Sequence, residues 1–311
     1  MWKATVLAVV CCAAACAAIE GAAVWSAGEV VAWGGDGVHL WQRDRGFRRL
    51  ARGRFEEGGC VAEFAGRRGV AVQTRSRGMV WLEGPAWRPV TIDSGLDARD
   101  CLGAVLFGRE GLLVVHRGAQ IRFYERPAAG VGGRWPYREL YSIYTASWQG
   151  GLRMVDMNGD GRPDLLCGNY WVESPERFEE PWRLYPIHNW WETPVSAAVR
   201  WAAGERVWAA QRDLSPARIA WFERPANARD LWTAHAGPAD LRRVRAFDER
   251  GGRLLAGEDA GEGSRLVVIE DGRAREIERG PGYVFAAWRD AGEPAVVVSR
   301  SGVRWQEIGN N

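Results

Sequence analysis

The chain has 311 residues, is 47% hydrophobic and 26% charged, and carries a formal net charge of only +2. This balance gives no general electrostatic reason to bind nucleic acid or an anionic membrane, and it argues against disorder. The 39 Gly and 18 Trp argue against a helical bundle and for many short strands joined by tight turns.

The N-terminus reads as a targeting segment. Met1, Trp2 and Lys3 form a short basic start, and residues 4–19 are uncharged and end in small side chains. That run is short for a membrane-spanning helix and suits a signal peptide over residues 1–20, with cleavage expected near Ala18. Cys16 permits a second reading as a lipid anchor, so the expected location is secreted or periplasmic, or attached to a membrane surface as a lipoprotein. No later stretch is long and apolar enough to form a transmembrane helix.

From residue 22 onward the chain repeats. An aromatic-x-Glu element followed by Pro appears at Trp81-Leu82-Glu83, Phe123-Tyr124-Glu125, Trp171-Val172-Glu173 and Trp221-Phe222-Glu223. Weaker copies stand at Trp41, at Val268 to Glu270 and at Trp305, with spacings of 40, 42, 48, 50, 47 and 37 residues. This period matches a propeller blade of four strands. The units also share an internal layout: the fourth reads as strands at 152–156, 165–168, 170–173 and 182–187.

The expected fold is all-β, a seven-bladed β-propeller of roughly four-stranded blades forming one domain over 21–311. Approximate blades are 22–56, 57–96, 97–144, 145–192, 193–239, 240–282 and 283–311. The last unit ends after three strands, which leaves either a three-stranded blade or one completed by the N-terminal segment. An aromatic recurring once per blade is read as packing, and its neighbouring Glu as a turn-capping group. Cys60, Cys101 and Cys167 remain after the leader; the first two fall at matching places in successive repeats, where a bridge is open.

One turn carries metal chemistry. The segment from Asp156 to Asp164 places Asp156, Asn158, Asp160 and Asp164 at loop positions 1, 3, 5 and 9, with the Arg162 carbonyl at 7. Calcium favours six to eight hard oxygen ligands in such a flexible loop. An EF-hand needs Glu at position 12, where Cys167 stands, and helices on either side, so the expectation is one structural Ca2+ in a β-hairpin. The alternative is a turn whose Asp and Asn side chains only cap backbone N–H groups.

The pattern Asp-x-Asn-x-Asp-Gly-x-x-Asp resembles the FG-GAP/VCBS repeat family, which includes the integrin α-subunit head. The aromatic-Glu-x-Pro element is similar to exported bacterial members of that family. The resemblance implies a seven-bladed propeller with calcium at Asp156, Asn158, Asp160, Arg162 and Asp164.

No nucleophile elbow, zinc-protease helix motif, phosphate loop or dinucleotide fingerprint is present. A candidate ligand face is formed by the inter-blade loop holding His188, Trp190 and Trp191, with Tyr170 and Arg212 expected nearby. Exposed aromatics with polar neighbours suit a sugar or a protein hot spot, and the two Trp equally suit a plug between blades. The expected function is a non-enzymatic, calcium-binding module for a protein or glycan partner. The alternative is a polysaccharide lyase or hydrolase, favoured if His, Arg and carboxylates cluster at the central channel.

Overall fold

The computed structural model describes residues 18–76, 78–116, 120–128, 133–142, 151–168, 170–188, 199–203, 206–211, 216–289, 295–306 and 308. Among them every element is a strand, and no helix is long and apolar enough to cross a membrane. Blade 1 is β1 (Ile19–Ser26), β2 (Glu29–Gly34), β3 (Gly37–Gln42) and β4 (Gly46–Arg52). Blade 2 is β5 (Phe55–Phe64), β6 (Arg67–Thr74), β7 (Gly78–Glu83) and β8 (Val90–Asp93).

Blade 3 follows as β9 (Ala98–Leu106), β10 (Arg109–His116), β11 (Gln120–Glu125) and β12 (Tyr137–Ser142). Blade 4 is β13 (Arg153–Val155), β14 (Asp164–Cys167), β15 (Tyr170–Glu173) and β16 (Arg183–Pro186). Blade 5 is β17 (Val199–Ala203), β18 (Val207–Gln211), β19 (Arg218–Glu223) and β20 (Thr233–Ala236). Blade 6 is β21 (Val244–Arg250), β22 (Arg253–Glu258), β23 (Ser264–Glu270) and β24 (Arg273–Gly280), and blade 7 is β25 (Tyr283–Ala287), β26 (Ala295–Ser299) and β27 (Gly302–Gln306). Each blade is an antiparallel meander in chain order, so the structure is a seven-bladed β-propeller.

Burial follows strand position. Second strands such as β10 and β14 are buried on both faces because each lies between two neighbouring blades, so they read as continuous apolar runs. Outer strands such as β4 and β24 are largely exposed. The apolar core is divided into seven clusters, one at each blade junction, from Val31, Leu40, Val70 and Leu82 between blades 1 and 2 to Val284, Val296, Val30 and Trp41 between blades 7 and 1.

The paired abundance of Trp and Gly has a local cause. The Trp33 indole crosses the junction between blades 1 and 2, and a Cβ on Gly21 or Gly59 would lie within 2.5–2.6 Å of it. Its Nε1 donates to the Glu56 carbonyl at 2.9 Å. The repeat aromatics Trp41, Trp81, Phe123 and Trp171 are buried, as a packing role requires.

Two of the repeat glutamates, Glu83 and Glu173, also reach beyond their own blade. Glu83 meets Arg67 at 2.9 Å and Arg126 of blade 3 at 3.1 Å, and Glu173 meets Arg229 of blade 5 at 2.7 Å. These two glutamates tie neighbouring blades through charge-assisted bonds to guanidinium groups, and Glu173 also accepts from Asn158 in the turn between β13 and β14 at 2.9 Å.

Blade 7 has three strands among the described residues, and β1 is the inner strand of blade 1 rather than a fourth strand for blade 7. Charges reinforce the closure. Asp259 at the end of β22 accepts from Arg300 of blade 7 at 2.7 and 2.8 Å, and Arg300 reaches Glu20 of blade 1 at 3.2 Å. Arg245, almost fully buried, meets Asp259 at 3.1 Å and Glu57 of blade 2 at 3.4 Å. The Ile19 N–H donates to the Arg300 carbonyl at 3.3 Å, so blades 6, 7, 1 and 2 share one network.

β1 starts at Ile19, two residues before the domain boundary expected at 21. Cys60 and Cys101 form a disulfide between β5 and β9, and Cys167 is a free, buried thiol whose pKa burial pushes up. Residues 1–17, including Cys16, lie outside the described residues.

Candidate functional site

The first strands of the blades surround a central cavity of about 530 Å3. Its polar lining comes from residues near the starts of those strands: Glu20, Glu57, Arg99, Asp100, Arg153 and Arg245. Glu63, Arg68 and Trp25 contribute from the opposite strand ends, Asp248 from further along β21, and the Cys60–Cys101 bridge forms part of the wall. No histidine lines the cavity among the described residues.

Much of this charge already has a structural task. Asp100 accepts from the backbone N–H groups of Cys101 and Leu152, both at 2.9 Å, and so fixes the entry of the chain into β13. Arg99 meets Asp97 at 3.3 Å, and Arg245 belongs to the closing network. Arg153 donates to the Leu152 carbonyl at 2.8 Å and forms no ion pair with a described residue. Asp248 accepts from the Trp288 N–H at 2.7 Å; burial raises its carboxyl above the ordinary range against that bond and the nearby Arg153 charge. The cavity is therefore polar and of mixed charge, and Arg153 is the lining cation for which only a backbone carbonyl partner is seen.

These residues belong to no sequence motif. The signal that marks them is a charged residue interrupting an apolar inner strand near its start, as Arg245 does between Val244 and Ala246, and Arg153 between Leu152 and Met154.

The loop from Asp156 to Asp164 joins β13 to β14. Gly159 and Gly161 adopt positive φ of 81° and 82°, which lets the chain curl around Asp156. Asp156 Oδ1 accepts from the N–H groups of Gly159 at 2.6 Å and Asp160 at 3.1 Å, and Oδ2 from Gly161 at 2.9 Å. Desolvation opposes ionisation, but these three donors hold its carboxyl below the usual range. Asp160 accepts from the Arg162 N–H at 2.8 Å and from its guanidinium at 2.5 Å. Asn158 donates to Asp160 at 3.0 Å and to Glu173 at 2.9 Å.

Asp164 is fully buried and accepts from Met157 and Ser174 N–H groups at 3.0 and 2.8 Å. Burial, aided by the charges of Asp160 and Glu173, pushes its carboxyl up to about 6. The donors are hard oxygens, as a calcium loop needs, and in this conformation they cap turns. No group of three or more His, Cys, Asp or Glu converges as a metal cage among the described residues.

Of the expected ligand face, Tyr170 is half-buried opposite Pro186, and His188 is half-buried with its ring 6.3 Å from Phe222. The adjoining Ile187 is fully buried against blade 5, where its carbonyl accepts from Trp232 at 2.7 Å. Neither Tyr170 nor His188 lines the central cavity. Trp190, Trp191 and Arg212 lie outside the described residues.

No protein-family model matches the chain, and no curated protein matches it in sequence. Solved structures do match in shape. YCF48 from Cyanidioschyzon merolae aligns with a TM-score of 0.59 at 13% identity, over 93% of this chain and 95% of that one. The AfRom2 CNH domain aligns with a TM-score of 0.56 at 12% identity, over 94% and 96% of the two chains. At such identities the likeness establishes the β-propeller fold, which is compatible with an interaction module, and no activity.

Proposed function

We propose that this chain is an exported β-propeller that works as a non-enzymatic interaction module, engaging a protein or glycan at the mouth of its central channel. The observation that carries the reading is the preformed polar cavity, with Arg153 in no ion pair with a described residue, in a wall braced by a disulfide and buried ion pairs. Such a site recognises a hydrogen-bonding, partly anionic group without having to reorganise. A glycan-array and peptide-array screen of the parent and of Arg153→Ala tests it. Binding that the substitution weakens at least tenfold, with the ligand recovered intact, supports the module. Binding to neither array, or binding that ignores the substitution, refutes it.

The same Arg and carboxylate side chains favour the second reading, a polysaccharide lyase or hydrolase. That chemistry would need a guanidinium to hold an anionic sugar and a carboxyl of raised pKa for proton transfer, roles open to Arg153 and Asp248. Release of shortened or unsaturated oligosaccharide from an array-positive glycan would establish it.

The module further carries, on this reading, one structural calcium at Asp156, Asn158, Asp160, Asp164 and the Arg162 carbonyl. The resemblance to FG-GAP/VCBS repeats and the all-oxygen donor set support it. So does the crowding of Asp160, Asp164 and Glu173, which a cation would relieve. Binding requires the Arg162 guanidinium to leave Asp160 and Asn158 to present its oxygen. Melting in 2 mM calcium should exceed melting in chelator, and Asp160→Ala should remove the difference. Equal midpoints in the parent protein would overturn the assignment.

A further inference from the structure

The outer strands of the four-stranded blades differ in charge. β12 pairs Arg138 with Glu139, β24 mixes three Arg with two Glu, β16 has a single Arg, and β8 and β20 have none. β4 alone among the described outer strands carries several bases and no acid: Arg48, Arg49 and Arg52. With Arg43, Arg45 and Arg54 on either side, residues 43–54 hold six arginines against one acid, Asp44, in a chain of net charge +2. All six are exposed, and none makes an ion pair with a described residue.

Charge on an edge strand commonly guards against self-pairing, and β4 is such an edge, paired among the described residues only with β3. That role leaves two other arginines unexplained. Where the chain crosses from blade 1 to blade 2, the Arg75 N–H donates to the Arg54 carbonyl at 3.2 Å, bringing the β6–β7 turn beside the crossing. Arg52, Arg54 and Arg75 there border a groove of about 390 Å3 with Phe55, Leu82 and Pro89 among its apolar lining. Arg54 and Arg75 are off the β4 edge, so guarding that edge does not account for them.

We propose that β4 and this groove form a docking surface for an acidic, extended peptide segment of a partner protein. The segment adds to the free edge of β4 through main-chain hydrogen bonds. It sets carboxylates against the β4 arginines, whose planar guanidinium forks match carboxylate geometry, and places an apolar side chain in the groove. A bare polyanion would use only the guanidinium groups, leaving the edge ladder and the apolar lining without a role. None of the groove's lining residues lines the central cavity, so this surface stands or falls independently of the channel reading.

The test is fluorescence anisotropy on the full chain with a labelled peptide, Glu-Leu-Glu-Thr-Glu-Val-Glu-Thr. Comparators are a block-ordered peptide of the same composition, a sulfated heparin oligosaccharide and a short DNA duplex. The alternating peptide should bind at least tenfold tighter than the block-ordered one. Arg48→Glu with Arg52→Glu, and separately Arg54→Ala with Arg75→Ala, should each weaken it about tenfold or more with the melting midpoint unchanged. Equal binding of the two peptides, or tighter binding of heparin or DNA, would replace the peptide dock with a general polyanion surface. No peptide binding, or variants that bind like the parent, would also overturn the proposal.

Discussion

Removing the disulfide wall of the channel should cost more stability than any single surface ion pair. Cys60 and Cys101 are 41 residues apart in sequence, and the loop they close contains β6, β7 and β8. In the chain-entropy treatment, closing a loop of this length stabilises the fold by about 4 kcal/mol. The double variant Cys60→Ala with Cys101→Ala should therefore melt roughly 8–16 °C below the parent, at about 2–4 °C per kcal/mol. Circular dichroism melts without reductant measure the shift, and thiol titration after denaturation should count the same number of thiols in both proteins. The single variant Cys101→Ala should melt near the double variant, since either change opens the loop. A shift below about 2 °C, with the parent shown to be bridged, would refute the loop-closure reasoning. The blade 2–3 junction would then be held chiefly by its apolar cluster, Phe64, Trp81, Leu112 and Tyr124 among it, and by the Glu83–Arg126 pair.

Three further outcomes are expected. At Asp259, burial works to raise the carboxyl, but the Arg300 hydrogen bond and the charges of Arg245 and Arg300 outweigh it and hold the group below its ordinary range. The folded value thus lies below the unfolded value of about 3.9, so its stabilisation is complete above about pH 4 and is lost as pH falls through the folded value. Asp259→Asn should flatten the acid limb of the stability curve, and an unaltered limb would contradict this. Arg245→Met should cost about 3 kcal/mol in denaturant unfolding, because it breaks the buried pairs with Glu57 and Asp259, although Asp259 keeps Arg300. Trp171→Ala, at a fully buried indole stacked 4.9 Å from Tyr185, should cost about 3–5 kcal/mol, and Trp171→Phe clearly less. Equal losses from the two Trp171 substitutions would mean that volume is not what the site requires.

The sequence by itself determined the repeat. Short apolar strands between Gly, Pro and Asp turns, recurring every 37–50 residues, bury their faces when successive four-stranded units stack on one another, as propeller blades do around an axis. The three-strand ending of blade 7, the packing role of the repeat aromatics and the availability of Cys60 and Cys101 for a bridge were all visible there. The Asp156 to Asp164 loop was visible as a turn rich in oxygen donors, since the spacing is local.

Which distant side chains meet depends on the closed ring. Glu20, Arg245, Asp259 and Arg300 are separated by up to 280 residues and converge because the ring brings the last blade back to the first. The partners of Glu83 and Glu173 were hidden for the same reason, as each carboxylate is answered from the next blade. The polar channel lining comes from at most two polar residues near the start or end of any described inner strand and from none on β25, a pattern with no local spacing to reveal it. Local periodicity specifies the blade, while closure of the ring specifies the site, because the charges that line it become neighbours only when every blade is in place.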